Sequence, residues 1–269
     1  MSTLGLTLSL SRIPERFARV VVVSPHMDDA ILSCGGLLQS LVPQMECISL
    51  TICTADPENA DPLNPPHGIA LPSVRRGEEV SAMQALGCEL VQLNLLDAIY
   101  RRHSATGKPL YPHMDSLWTM PHQDDDAQRK GVAEGLRPYL SDTSARPTLF
   151  LSPAGIGHHV DHILCTATLL SLLQHDDNVL LYEDFPYVVD QGAHVGIADS
   201  IEHALLRLNV LGEERLEQEC DVDAKICLIE NYATQIDSIF GSHDNVKPLL
   251  LKNARAGKTL ECFWRIKKK

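Results

Sequence analysis

His26, Asp28 and Asp29 crowd into one short stretch, Val20–Gly36, which reads VVVVSPHMDDAILSCGG. A histidine beside two adjacent carboxylates offers two kinds of chemistry, ligation of a divalent metal and transfer of a proton. Asp is also a common helix N-cap, but one cap needs only one Asp, which leaves a histidine and a second carboxylate without a structural task. A second cluster, HHVDH at His158–His162, opens an apolar helical run. His159 and His162 are spaced to share one face of a helix's first turn and to converge on a point. With His26 and Asp29 they make a set suited to Zn²⁺ that leaves a position open for water. A protonated imidazole is unfavourable at a helix N-terminus, and a neutral, metal-bound one escapes that penalty.

Both clusters follow short apolar runs that end in proline. Four consecutive valines suit a central parallel strand covered on both faces, and Pro25 ends it. Thr148–Pro153 (TLFLSP) repeats the pattern ahead of the histidine cluster. Val20–Val23, Cys47–Cys53, Glu89–Leu95, Thr148–Leu151 and Val179–Tyr182 read as strands; Ala30–Leu41, Val74–Leu86 and Gln128–Leu140 read as helices between them. That alternation predicts an α/β fold with a mostly parallel central sheet and right-handed crossovers. In such a sheet ligands gather at the carboxyl ends of strands, which places His26, Asp28, Asp29 and also Asp97 where a site forms. Asp97 is therefore a candidate for binding a polar substrate group, or else a cap for the next turn. After Asp184 the pattern changes to a helix near Ser200–Leu208, a strand near Glu217–Val222, a helix over Asp223–Ile239 and a final strand Leu260–Ile266. With no linker rich in Gly, Ser or Pro, residues 1–269 are expected to form a single domain with 185–269 as its C-terminal extension.

The spacing S-P-H-x-D-D-x-x-L-x-x-G-G early in the chain, with H-x-D-H after a middle strand, resembles the LmbE/PIG-L-type zinc de-N-acetylases. The stretch from Val74, VRRGEEVSAMQALGCELVQLNLLD, is similar to that family's R-R-x-E helix, Leu-Gly turn and strand ending in Asp. The resemblance implies a Rossmann-like three-layer fold and a zinc hydrolase that removes a small N-acyl group from an amino sugar or a natural-product intermediate. It further implies that His26, Asp29 and His162 hold the metal, that Asp28 is the general base toward the attacking water, and that His159 stabilises developing charge or protonates the leaving amine. His158 is read as outward-facing or supporting. In the family reading Arg75 contacts a substrate hydroxyl or phosphate; the plainer alternative is an i,i+4 pair with Glu79 on an exposed helix face, at about 0.3–0.5 kcal/mol. Three positions depart from the commonest family pattern: Met27, Ala30, and Gly157 where some relatives carry tyrosine.

Asp56–Pro72, crowded with proline, is expected to form a rim or lid, and Arg101–Asp126, with Tyr111 and Trp118, a substrate-selecting flap or a solvated insertion. His122 with Asp124–Asp126 reads as a solvated charge run. The eight cysteines lack tight pairing motifs and look like small core residues (Cys47, Cys53, Cys165, Cys227) of a reducing cytoplasm. A formal net charge of -12 argues against nucleic acid or an anionic membrane as partner, and no apolar run approaches the ~20 residues of a membrane span. A small N-acylated molecule is the expected partner, in a protein that is either monomeric or a homo-oligomer. Two other readings are a zinc amidase acting on a thiol conjugate and a metal-free nucleotide-binding module cradling phosphate at Cys34–Gly36. The latter lacks G-x-G-x-x-G and leaves His159 and His162 unexplained.

Overall fold

Val20 and Val22 pack into one hydrophobic layer and Val21 and Val23 into the other, all fully buried, so strand β1 (Arg19–Ser24) lies between two sets of helices. The computed structural model describes residues 9–58, 69–140, 146–189 and 199–269. β2 (Glu46–Cys53), β3 (Glu89–Leu95), β4 (Thr148–Pro153) and β5 (Val179–Tyr182) join β1 in parallel, in the order β3-β2-β1-β4-β5. β6 (Val210–Cys220) and β8 (Lys258–Lys268) extend the sheet beyond β5 as antiparallel strands, and the two-residue β7 (Ala254–Arg255) pairs with β8.

One face of the sheet is covered by α1 (Ile13–Arg16), α2 (Asp29–Leu41), α3 (Pro72–Leu86), α7 (Val222–Ile229), α8 (Ala233–Phe240) and α9 (Val246–Leu251). The other is covered by α4 (Asp126–Leu140), α5 (Val160–Leu172) and α6 (Ile201–Arg207). This is the expected α/β arrangement with a mostly parallel sheet. β1 pairs with β2 on one side and β4 on the other, so the order reverses at β1, and the crevice above the carboxyl ends of β1 and β4 is where such sheets bind ligands. Among the described residues no helix is long and apolar enough to cross a membrane.

Several elements differ from expectation. The helix expected over Asp223–Ile239 breaks at Glu230–Tyr232, because the Asn231 side chain turns back to donate to the Cys227 and Leu228 carbonyls. Glu78 then accepts from the Thr234 backbone N–H and hydroxyl in the first turn of α8. The strand expected near Glu217–Val222 starts earlier, at Val210; its Gly-Glu-Glu-Arg run hides the strand pattern, as suits an outermost strand. α9 and β7 lie between the expected helix over Asp223–Ile239 and the expected strand Leu260–Ile266, where no element is expected. Cys227 is exposed, while the other seven cysteines are buried. Cys34–Gly36 sits inside α2, where Glu261 of β8 accepts from the Gly36 and Leu37 N–H groups at 2.8 and 2.9 Å and pairs with buried Lys225 at 2.6 Å. Those amides therefore do not form a phosphate cradle.

Arg75 and Glu79 do not lace an exposed face, since both are buried. Glu79 instead bonds the Thr51 hydroxyl (2.5 Å) and accepts from Gln92 (2.7 Å), and burial pushes its carboxyl up to about 8 against those two bonds. A carboxyl raised on folding contributes stability that is complete below its ordinary value of 4.5 and lost as pH rises through about 8. Glu79→Gln should therefore flatten the fall in thermal stability over that window and melt higher than wild type above it, by an amount on the order of a few kcal/mol at most. Melting curves across pH would check this, and a variant that parallels wild type would refute it.

Candidate metal centre and active site

The first motif is held by backbone-directed bonds that turn its carboxylates inward. Ser24 donates its hydroxyl to the His26 carbonyl (2.6 Å) and accepts from Ala30 N–H (3.1 Å), stapling the turn between β1 and α2. Neither Asp28 nor Asp29 caps the helix that they begin. Asp29 Oδ2 instead accepts from the His26 backbone N–H at 2.7 Å, and Asp28 Oδ2 meets the Arg75 guanidinium at 3.3 Å. The helix-cap alternative thus fails for both.

The second motif needs an unusual backbone path. Gly155, Gly157 and His158 all have left-handed φ values (81°, 85° and 70°), which carry the chain from β4 into α5. A Cβ on Gly157 would also stand 2.6 Å from the Tyr187 ring, so the absence of a side chain there makes room for Tyr187. His159 caps α5: its Nδ1 accepts from the Asp161 N–H at 3.2 Å, so the ring proton resides on Nε2. Burial and neighbouring His26 hold His159 well below the ordinary imidazole range, hence neutral. His158 is not among the residues that line the cavity, and its Nε2 is buried without a hydrogen-bond partner.

Asp29 Oδ2 lies 3.3 Å from His26 Nδ1 and 3.4 Å from His162 Nε2. Donors held about 2.0–2.1 Å from a tetrahedral ion are separated by about 3.3–3.4 Å, so this spacing suits a metal. His162 Nε2 is buried with no hydrogen-bond partner, while its Nδ1 bonds Asp184 Oδ1 at 2.6 Å. His26 Nε2 faces Asp161 Oδ2 at 3.4 Å and Asp97 Oδ2 at 3.6 Å. Each imidazole thus turns one nitrogen to the common point and the other to carboxylate, the usual support for ligating histidines. Burial opposes charge on His26 and His162, yet Asp97, Asp161 and Asp29 for the one, and Asp29 and Asp184 for the other, raise both. The point attracts positive charge.

His159 is part of the cluster as well, since donor atoms of His26, His159 and His162 all fall within 4.8 Å of one another. His26, Cys53 and Asp161 form another such group. It is less suited to a metal, because Arg101 and Ala98 N–H occupy both Asp161 oxygens and burial keeps the Cys53 thiol protonated.

Above these residues opens a cavity of about 320 Å³. Asp28, Asp29, Asp97, Arg75, His26 and His159 contribute its charged and polar lining, and Trp118, Tyr187, Phe185 and Leu32 contribute to its apolar wall. Asp97 Oδ1 caps the turn at Ala98–Tyr100, the plainer of its two expected roles, and the residue also lines the cavity. Trp118 stands edge-on to His159 (4.9 Å between centroids) and to Tyr187 (5.6 Å). Arg101–Asp126 contains one short helical turn, Met114–Leu117. Of the expected lid, Ile69 reaches the cavity and Asp56 pairs with Arg76, while residues 59–68 lie outside the described residues.

Sequence reasoning passed over Asp184, Asp161, Arg101 and Tyr187. Asp184 follows β5 as His26 follows β1, so the strand-end rule applied there would have found it. Arg101 carries no local pattern that distinguishes it from any loop arginine.

The model of the family PIG-L, described as GlcNAc-PI de-N-acetylase, matches residues 21–173, which include both motifs. The 2'-N-acetylparomamine deacetylase of Niallia circulans is 28% identical over 265 residues, 90% of this chain and 88% of its own. The enzyme of the same name from Streptomyces fradiae is 30% identical over 179 residues, covering 66% and 61% respectively. Among solved structures, the zinc-inhibited form of teicoplanin deacetylase Orf2 superposes with a TM-score of 0.71 at 25% identity, covering 93% of this chain and 98% of that one. With the motifs, the fold and a family match over more than half its length in agreement, the chain belongs to the PIG-L family of de-N-acetylases.

Proposed function

We propose that this enzyme is a zinc-dependent N-deacetylase acting on an acetylated amino sugar during assembly of a natural product. The observation that carries the metal assignment is Asp29 Oδ2 standing at metal-ligand spacing from both His26 Nδ1 and His162 Nε2, the latter buried with no hydrogen-bond partner. The named activities of the relatives support the substrate class, since two act on 2'-N-acetylparomamine and one on teicoplanin.

His26, Asp29 and His162 would hold the ion. When bound, the ion supplies Lewis acidity, which polarises the amide carbonyl and acidifies water. Asp28, at the cavity floor, accepts the proton of the attacking water as its oxygen bonds to the carbonyl carbon. Burial raises the Asp28 carboxyl while Arg75 draws it down, and the same guanidinium holds it in place. His159 presents Nε2–H, because the Asp161 amide ties up Nδ1, and it donates to the carbonyl oxygen as negative charge develops there. The proton taken by Asp28 returns to the nitrogen as the C–N bond breaks, giving acetate and a primary amine. Arg75 and Asp97 both line the cavity and are assigned to substrate hydroxyl or amine groups.

Asp28→Asn should retain metal and lose about 10²–10⁴-fold in kcat, since it removes a base and not a ligand. His162→Ala should lose both metal and turnover. Elemental analysis beside amine release from 2'-N-acetylparomamine and simple N-acetyl amino sugars, with and without a chelator, tests the scheme. Full metal content in His162→Ala, or release insensitive to chelation, would overturn it. Asp184→Asn should weaken metal binding by about 10–100-fold through loss of the bond to His162 Nδ1. A metal-competition titration would measure that loss, and wild-type affinity would remove Asp184 from the centre.

A further inference from the structure

Arg101 is 5% exposed, in a segment otherwise rich in surface residues. Its Nη1 meets Asp161 Oδ1 at 2.5 Å and donates to the Leu96 carbonyl at 3.1 Å. Its Nη2 donates to Asp125 Oδ2 at 2.9 Å, and Nε lies 2.9 Å from Asp125 Oδ1. The guanidinium also sits over the Tyr111 ring, 5.2 Å from its centroid. The Tyr111 hydroxyl donates to Asp125 Oδ2 (2.6 Å) and accepts from His122 N–H (2.8 Å). On the far side, Asp161 Oδ2 accepts from Ala98 N–H at 3.1 Å and faces His26 Nε2 at 3.4 Å. An unbroken line of polar contacts thus joins a partly buried loop backbone to the imidazole of the first motif.

Burying a guanidinium costs several kcal/mol unless its charge is matched, and here two buried carboxylates match it, with the Leu96 carbonyl taking a further donor. A solvated insertion needs no such fork. The same segment brings Ile99, Met114, Leu117 and Trp118 to the cavity, and Ala98, Tyr111 and Leu117 pack with Val160 of α5 in a small core of their own. Arg101 is where that wall and the His26 support meet.

We propose that Arg101 is a positioning residue with two arms. One arm fixes Asp161 and, through it, the ring of His26; this arm rests on the metal-centre reading above. The other arm latches Ala98–Asp125 against the site as a fixed substrate-facing wall, and this arm does not depend on that reading. The arms are separable because Tyr111 belongs only to the second.

Tyr111→Phe should leave cobalt affinity and the visible spectrum of the cobalt-loaded protein unchanged. It should speed amide hydrogen exchange within residues 98–125 and raise KM for 2'-N-acetylparomamine by about tenfold, with kcat little altered. Arg101→Met should speed exchange in the same residues, shift the cobalt spectrum, weaken cobalt binding by about tenfold and lower kcat. Added methylguanidine should restore part of the cobalt affinity to Arg101→Ala and none of the KM to Tyr111→Phe. Wild-type exchange in both Tyr111→Phe and Arg101→Met would overturn the latch. A wild-type cobalt spectrum and affinity in folded Arg101→Met would overturn the arm to His26. Should Arg101→Met fail to fold, Tyr111→Phe alone decides the latch by exchange, and Asp161→Asn decides the other arm by its cobalt spectrum. Wild-type protein that binds no cobalt would sink the metal centre and the first arm with it, leaving the latch to stand or fall on exchange.

Discussion

Five carboxylates converge beneath one cavity: Asp28, Asp29, Asp97, Asp161 and Asp184, all buried or nearly so. Ions removed from water must be neutralised or must change their protonation, and two guanidiniums, Arg75 and Arg101, cannot balance five acids. The remaining deficit is visible in the titrating groups. Burial drives the Asp28 and Asp184 carboxyls upward, while His26 and His162 gain affinity for protons despite their own burial. A divalent ion at the Asp29, His26 and His162 triangle would take the place of those protons, so the arrangement is most self-consistent with the ion bound. Such an ion would belong to the electrostatics of the folded state as well as to the chemistry proposed for it.

Holding like charges together requires stiff backbone, and the sheet supplies it at its point of reversal. β1 and β4 are hydrogen-bonded neighbours, so the turns after them project His26, Asp28 and Asp29 from one side and His159, Asp161 and His162 from the other. β5 adds Asp184, whose second oxygen accepts from Ile156 N–H and so ties the β5 end to the left-handed loop after β4. The C-terminal part of the chain contributes beyond extending the sheet. Glu261 of β8 grips α2 in its middle, at Gly36 and Leu37, and its partner Lys225 lies 5.7 Å from the centre of the Phe185 ring. The helix that presents the first motif and a wall of the cavity are therefore anchored to the same buried ion pair.

The central strands and the two motif turns were legible because their patterns are local: four valines, a proline and a polar cluster announce a buried strand end. Groups that act across distance were not. Asp184 and Asp161 reach the site through imidazoles distant in sequence, His162 and His26, and Arg101 through carboxylates 24 and 60 residues on. Arg75 and Glu79 mislead for the same reason, since their spacing suits a surface pair and only the packing of α3 on the sheet buries them with separate partners. The break at Glu230–Tyr232 depends on a side chain bonding carbonyls one turn back, which apolar periodicity does not register. β6 is obscured by charges that suit an outer strand.

The division of labour within the cavity follows from this architecture. Every residue assigned to ligate the metal or transfer a proton lies within 21–173, the stretch that matches the family, and Asp184, which supports His162, lies just beyond it. Phe185, Pro186, Tyr187, Gln235, Ser238 and Ile239 line the same cavity from outside that stretch. A change in those walls alters what fits above the ionic floor without disturbing the charge balance that makes the floor possible. Gly157 marks the join, because it lies inside the matched stretch and its missing side chain admits Tyr187 from outside it. Relatives that keep the floor can thus diverge in substrate at little electrostatic cost, whereas any change to a floor residue must be compensated by another charged group.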